Sequence, residues 1–245
     1  MIRVTLWNEF YHEKTEDDVK ELYPDGLHAK IKEELEKMAP GEYDIKLADL
    51  EMPEHGLSEE VLNNTDVLVW WGHCVHDKVD DAIVTKVVDH VHRGMGFIAL
   101  HSSHLSKPFV KLMGTPCTLR WRCEDEKGRV WKVDRTHPIT KGIPDSFELK
   151  AEEMYGEPFL VPKPDDLLFV TWFEGGEIFR SGCTYTRGNG KIFYFQPGHE
   201  TCPSYYNEHV IRVIKNAIDW ANPGCDRIPI CCDFQDPFEK LTERN

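Results

Sequence analysis

The turn Ala99-Leu100-His101-Ser102-Ser103 puts an imidazole at the point where a strand gives way to a helix. A nucleophile elbow of this shape holds its apex residue in a strained conformation at the top of a sheet. It needs small residues two before and two after the apex, so that strand and helix can pass closely. Ala99 and Ser103 meet that demand around His101, and the apex carries no thiol. The chemistry indicated is acid/base or metal chemistry, not covalent thiol catalysis.

Other imidazoles follow the same rule of placement. Ligands of open α/β sheets bind beyond the carboxyl ends of the strands. The first strand runs into Asn8-Glu9-Phe10-Tyr11-His12, the third into Gly72-His73-Cys74-Val75-His76, and the last core strand into Gln196-Pro197-Gly198-His199-Glu200. His104 stands one turn beyond His101. The joint placement of His73, His76, His101 and His199 leaves two chemistries open. Neutral imidazoles, with or without a carboxylate, ligate Zn²⁺ or another divalent metal and leave a position for water. Alternatively one imidazole acts as general base while a second polarises a carbonyl oxygen. Either way His101 and His199 are the central groups, with Glu9 and Glu200 as orienting carboxylates. His90 and His92 suit the negative end of a helix and carry no assigned role, His55 and His137 read as turn residues, and His28 either caps the cleft or packs.

The elements that must position these groups are legible as strand-like runs alternating with amphipathic helices, the pattern of a parallel sheet with helices on both faces. Strands are expected over 2–7, 43–48, 66–71 and 96–101. Leu27, Ile31, Leu35 and Met38 recur at helical spacing, as do Val79, Ile83, Val87 and Val91. Residues 107–114 read as a short helix, after which the texture changes to alternating strands with Gly and Pro turns. The expectation is a three-layer α/β domain over 1–222, with an antiparallel β excursion inserted at about 115–185 and a tail over 223–245. The core resumes at Lys191-Ile192-Phe193-Tyr194-Phe195 and ends in a helix with Val210, Val213, Ile214, Ala217 and Ala221 on one face. The tail is expected to wrap a surface or meet another subunit.

Bulk properties narrow the partners. The 245 residues suit one large domain, and 43 acidic against 29 basic side chains give a formal net charge of −14, which repels nucleic acid and anionic membranes. The chain opens directly into a strand with no signal-like region, and no apolar run approaches spanning length, so a cytoplasmic protein is expected. Its eight cysteines form no CxxC pair and read as free thiols, the vicinal Cys231-Cys232 pair included.

Taken together, the elbow and Phe195-Gln196-Pro197-Gly198-His199-Glu200 resemble the class I glutamine amidotransferase fold, in which an elbow cysteine pairs with a histidine after the last strand. Within that superfamily several strings resemble the trehalose-utilisation (ThuA-like) family over residues 1 to about 222. They are Trp7-Asn8-Glu9-Phe10-Tyr11-His12, Tyr23-Pro24-Asp25-Gly26-Leu27-His28, Trp70-Trp71-Gly72-His73, the elbow, and His137-Pro138-Ile139-Thr140-Lys141-Gly142. The resemblance implies a flavodoxin-like core and a link to sugar metabolism. Two departures from the glutaminase pattern argue against glutamine hydrolysis: His101 replaces the nucleophile, and Glu200 follows His199 directly instead of standing two residues on. Cys74 and Cys202 lie near the site in sequence but lack the small flanking residues of an elbow.

A carbohydrate would be held by carboxylates, amides, guanidinium groups and an aromatic face. The candidates are Glu9, His12, Gly72, Ser102, Arg120, Trp121, Arg122, Glu153, Tyr155 and Glu157, with Trp71 as the tryptophan nearer the cleft. Trp121 suits a subunit contact equally well, and a homo-oligomer is expected. The leading reading is an enzyme acting on a sugar or keto-sugar; the alternative is a non-catalytic sugar-binding or regulatory module on the same fold.

Overall fold

Strand-forming residues with both faces apolar build the centre of the molecule, a computed structural model that describes residues 1–228 and 234–242. The strands β1 (Ile2–Asn8), β2 (Tyr43–Asp49), β3 (Val67–Trp71) and β4 (Gly96–Leu100) pair in parallel, in the order β2-β1-β3-β4. The fourth ends one residue short of the expected 96–101, because His101 already begins a 3₁₀ turn over His101–Leu105. Period-two alternation divides each strand between two cores. In β3, Val67, Val69 and Trp71 enter one core and Leu68 and Trp70 the other.

Helices cover both faces. The short helices α1 (His12–Thr15) and α2 (Asp17–Leu22) follow β1, and α3 (Leu27–Met38) precedes β2. Next come α4 (Glu59–Asn63), α5 (Asp81–Arg93), α6 (Lys107–Met113) and α7 (Glu208–Ala221). The apolar stripes of α3 and α7 pack into one core, and those of α4, α5 and α6 into the other.

The antiparallel excursion extends the same sheet. The strands β5 (Arg120–Lys132), β6 (Ser146–Gly156), β7 (Asp166–Phe173) and β8 (Ile178–Arg187) join through β9 (Gly190–Phe195), giving the nine-stranded order β2-β1-β3-β4-β9-β8-β7-β5-β6. Since β9 is parallel to β4 and antiparallel to β8, it is the hinge between the two halves. Its carboxyl end and the end of β6 therefore reach the same rim as β1, β3 and β4. Beyond α7, the Arg227 guanidinium donates to the carbonyl of Leu62 at 2.8 Å and the Ile228 amide to that of Arg93 at 3.1 Å, which ties the start of the tail to the α4 and α5 region. Cys231 and Cys232 lie outside the described residues.

Candidate functional site

The elbow is strained as its sequence implies. His101 adopts φ 51°, a conformation that costs a non-glycine residue about 1–3 kcal/mol. The Ser103 hydroxyl accepts from Gly72 N–H at 3.0 Å and donates to the Trp70 carbonyl at 2.9 Å, lashing the elbow to the end of β3. The His101 ring is fully buried and stacks on Tyr155 with centroids 5.0 Å apart. Nδ1 donates to the Gln196 carbonyl at 2.8 Å, and Nε2 lies 3.0 Å from Glu153 Oε2. Burial opposes charge on this ring, but the bond to Glu153 and the charges of Glu153, Glu152 and Glu200 outweigh it and push its pKa up to about 9. His101 is an imidazolium at neutral pH.

The loop after β9 is shaped by Glu152, which is fully buried. Its Oε1 accepts from the amides of Glu153 and His199, each at 3.0 Å, and its Oε2 from Gly198 N–H at 2.9 Å and the Ser204 hydroxyl at 2.6 Å. The Trp71 indole donates to the Gly198 carbonyl at 2.9 Å. So held, the His199 ring stands 5.3 Å from both His73 and His101 between centroids. Its pKa is lowered by burial first and then by the charge of His101, which keeps it neutral.

Glu200 organises the other side. Its Oε1 lies 2.7 Å from His73 Nδ1, 3.6 Å from His12 Nε2 and 3.7 Å from His199 Nε2. Burial disfavours its charge, yet the His73 bond and the imidazoles of His73, His199 and His12 hold its carboxyl down at about 2. The Glu200 carboxylate accepts a hydrogen bond from His73 Nδ1–H, the pairing that presents Nε2 of a ring to a metal. The carboxylate of Glu9, after β1, accepts from the amides of Cys74 at 3.0 Å and Val75 at 3.3 Å.

A family model described as trehalose utilisation matches residues 3–221. The chain belongs to the trehalose-utilisation (ThuA) family. Among solved structures, a ThuA-like protein from Parabacteroides merdae ATCC 43184 superposes with a TM-score of 0.66 at 15% identity, covering 95% of this chain and 94% of that one. A protein from Salmonella typhimurium LT2 described as cytoplasmic gives 0.63 at 12% identity, covering 90% and 100%. A glutamine amidotransferase from Thermotoga maritima gives 0.52 at 12% identity, covering 90% and 97%. These likenesses establish an amidotransferase-like, flavodoxin-type fold. No curated protein matches the chain. Among the described residues no helix is long and apolar enough to cross a membrane.

Within this ThuA-family fold the rim opens into a cavity of about 470 Å³, walled by His73, Ser102, His104, Trp121, Cys123, Glu153, Tyr155 and His199 among others. Several expected site residues stand elsewhere. Trp71 is buried against the other core, because the strand pleat turns it to the face opposite Trp70. Arg120 lines a neighbouring open groove with Arg122 and Glu157, since alternation along β5 aims it away from the cavity that Trp121 and Cys123 reach. Arg122 is ion-paired with Glu126 and Glu177, and Glu157 with Arg180. His76 sits on the 3₁₀ turn His76–Lys78 behind Gly72, and joins none of the metal-competent groups found among the described residues. With no α-helix under H-x-x-H, the rings of His73 and His76 do not share a face. Gly72 leaves room for Glu9 Oε2 and His76 and does not wall the cavity. His12, Glu9, Glu200 and His101 are buried behind the cavity wall and do not line it.

Two groups escaped sequence reasoning. Glu152 gave itself away only as the neighbour of Glu153, and its role depends on β6 ending beside the loop after β9. The Cys123 thiol lies 3.8 Å from His199 Nε2, a proximity across 76 residues that no local signal carries. The two thiols nearest the site by sequence are held protonated. Cys74 is pushed up to about 12 by burial and then by Glu9, and Cys202 is raised by burial and then by Glu152.

His73, His199 and Glu153 offer ligand atoms that all lie within 4.8 Å of one another, so that small side-chain shifts would gather them around one ion. The donor set fits. Glu153 keeps its charge beside the His101 imidazolium, whose Nε2 lies 3.0 Å from its Oε2, and His73 is already oriented by Glu200, the arrangement found behind a metal-bound histidine.

Proposed function

We propose that this chain is a cytoplasmic enzyme of sugar metabolism, moving a proton beside a carbonyl of a sugar or keto-sugar with the help of a divalent metal held by His73, His199 and Glu153. It is not a glutaminase: the elbow apex is an imidazolium and the neighbouring thiols hold their protons. The observation that carries this reading is the set of strands delivering two imidazoles, His73 and His199, and the Glu153 carboxylate to one cavity wall, with a charged imidazole behind them. A bound divalent ion supplies Lewis-acid polarisation of the substrate carbonyl.

The chain's own groups handle the proton. Tyr155 and Ser102 share a 2.5 Å hydrogen bond in the cavity wall, and the Tyr155 hydroxyl lies 3.4 Å from His101 Nε2. The tyrosine hydroxyl gives its proton to the substrate oxygen and takes another from His101, while the proton leaving the adjacent carbon goes to the ionised Glu153 carboxylate in the same cavity wall. Burial and the neighbouring Glu153 raise the Tyr155 pKa well above its ordinary value, so Tyr155 rests protonated. Trp121, 67% exposed at the cavity mouth, offers the apolar faces of sugar rings a stacking platform.

Solvent exchange tests this. Ketoses such as D-fructose, incubated in D₂O with the protein and Zn²⁺ or Mn²⁺, are expected to incorporate deuterium beside the carbonyl by NMR. Tyr155→Phe is expected to slow exchange by about 10²-fold or more. Absence of exchange across a panel of ketoses, or an unchanged rate in that variant, would overturn the reading.

A further inference from the structure

Beside the cavity lies a second group of metal-competent side chains that the proposed reaction does not use. Glu9 follows β1, His12 sits on α1, and Cys74 lies three residues beyond β3. Their ligand atoms all fall within 4.8 Å of one another, and the group shares no residue with His73, His199 and Glu153. We propose that Glu9, His12 and Cys74 form a second divalent-metal position. The inference extends the metal reading of this site, and its test below separates the two.

Three observations support it. First, His12 Nε2 is buried with no hydrogen-bond partner, on a residue only 7% exposed, and it faces Glu9 Oε1 at 3.9 Å. An orphaned imidazole nitrogen aimed at a carboxylate costs free energy unless something fills the gap. Second, both protein ligands behind the thiol are already oriented. His12 Nδ1 lies 2.7 Å from Glu16 Oε1, the same imidazole–carboxylate pairing that His73 makes with Glu200, and it leaves Nε2 as the free donor. The two amide donors of Cys74 and Val75 fix Glu9. Third, Cys74 is exposed while Glu9 and His12 are buried, so the group has one open side through which an ion can enter.

The donor set sets the metal class. One sulfur, one imidazole nitrogen and one carboxylate oxygen suit Zn²⁺ or Co²⁺ and discriminate against Mg²⁺ and Ca²⁺, which require oxygen ligands. Binding releases the Cys74 thiol proton to the buffer. Glu200 stands between the two positions, its Oε1 within 3.6 Å of His12 Nε2 and its Oε2 without a partner, so its negative charge attracts an ion on either side.

Metal-free full-length protein is titrated with Co²⁺ while the near-ultraviolet thiolate-to-cobalt band is followed, and Zn²⁺ stoichiometry is measured after desalting. The wild type is expected to bind two equivalents and show the band. Cys74→Ser and His12→Gln are expected to fall to one equivalent, Cys74→Ser without the band, and Cys123→Ser to retain both. The paired substitution His73→Gln with His199→Gln is expected to keep one equivalent and the band. A single equivalent without the band in wild type overturns the second position and leaves the first. A band that survives Cys74→Ser also overturns it, and no binding at all overturns both readings.

Discussion

Glu152 spends both carboxylate oxygens on four donors, three of them backbone amides of Glu153, Gly198 and His199. Replacing it by Gln turns one acceptor into a donor that faces those amides. Glu152→Gln is therefore expected to destabilise the fold by about 2–4 kcal/mol and to weaken metal binding at His199, both measurable by denaturant titration and calorimetry. A fully stable variant with unchanged affinity would remove Glu152 from its positioning role. At this scale the sequence revealed which imidazoles gather, because each follows directly on a strand and a strand end has only one rim to reach. It left the second row hidden. Whether His101 touches substrate or stands behind Glu153 and Tyr155 depends on side-chain depth, which strand order does not encode, and the structure places it behind.

The loop between β9 and the 3₁₀ turn at Ser204–Tyr206 turns on Gly198, whose φ of 138° is accessible to few side-chain-bearing residues. A Cβ there would also overlap the Tyr205 hydroxyl. Gly198→Ala is expected to cost on the order of 2–3 kcal/mol and to lower metal affinity by about 10–100-fold through the displaced His199. Wild-type melting together with wild-type affinity would show that the loop does not depend on this glycine. Strand and helix positions were readable from periodicity to about a residue for β1 to β4. Which way a strand residue points was not, for Trp71 and Arg120, because a buried strand has two apolar faces and β5 carries polar residues on both.

Across the whole molecule, buried neutral histidines make folding sensitive to acid. Burial, the largest influence on each, holds the pKa of His28 down to about 4 and that of His104 to about 3, against an ordinary value near 6.5. Both are nearly inaccessible. Depressed histidine pKa values mean that the unfolded chain binds more protons than the folded one. Their stabilising contribution is complete above about pH 6.5 and drains away as pH falls towards 4 and 3, on the order of 3 kcal/mol for His28 and 5 kcal/mol for His104. The melting temperature is expected to fall steadily from pH 6.5 to 4, with a shallower fall in His28→Gln. A flat profile in wild type would contradict this. The single sheet was the least legible feature at this scale. Texture announced an antiparallel excursion after the elbow, but only pairing through β9, parallel on one side and antiparallel on the other, makes it an extension of the core that carries Glu152, Glu153 and Tyr155 to the histidines.

Whether that gathering holds an ion is decided most directly by anomalous diffraction at the zinc edge, from crystals of untagged protein grown with Zn²⁺. A peak is expected among the His73, His199 and Glu153 side chains, lost in His199→Gln. A map without density there, at Zn²⁺ concentrations that saturate binding sites of micromolar affinity, would contradict it.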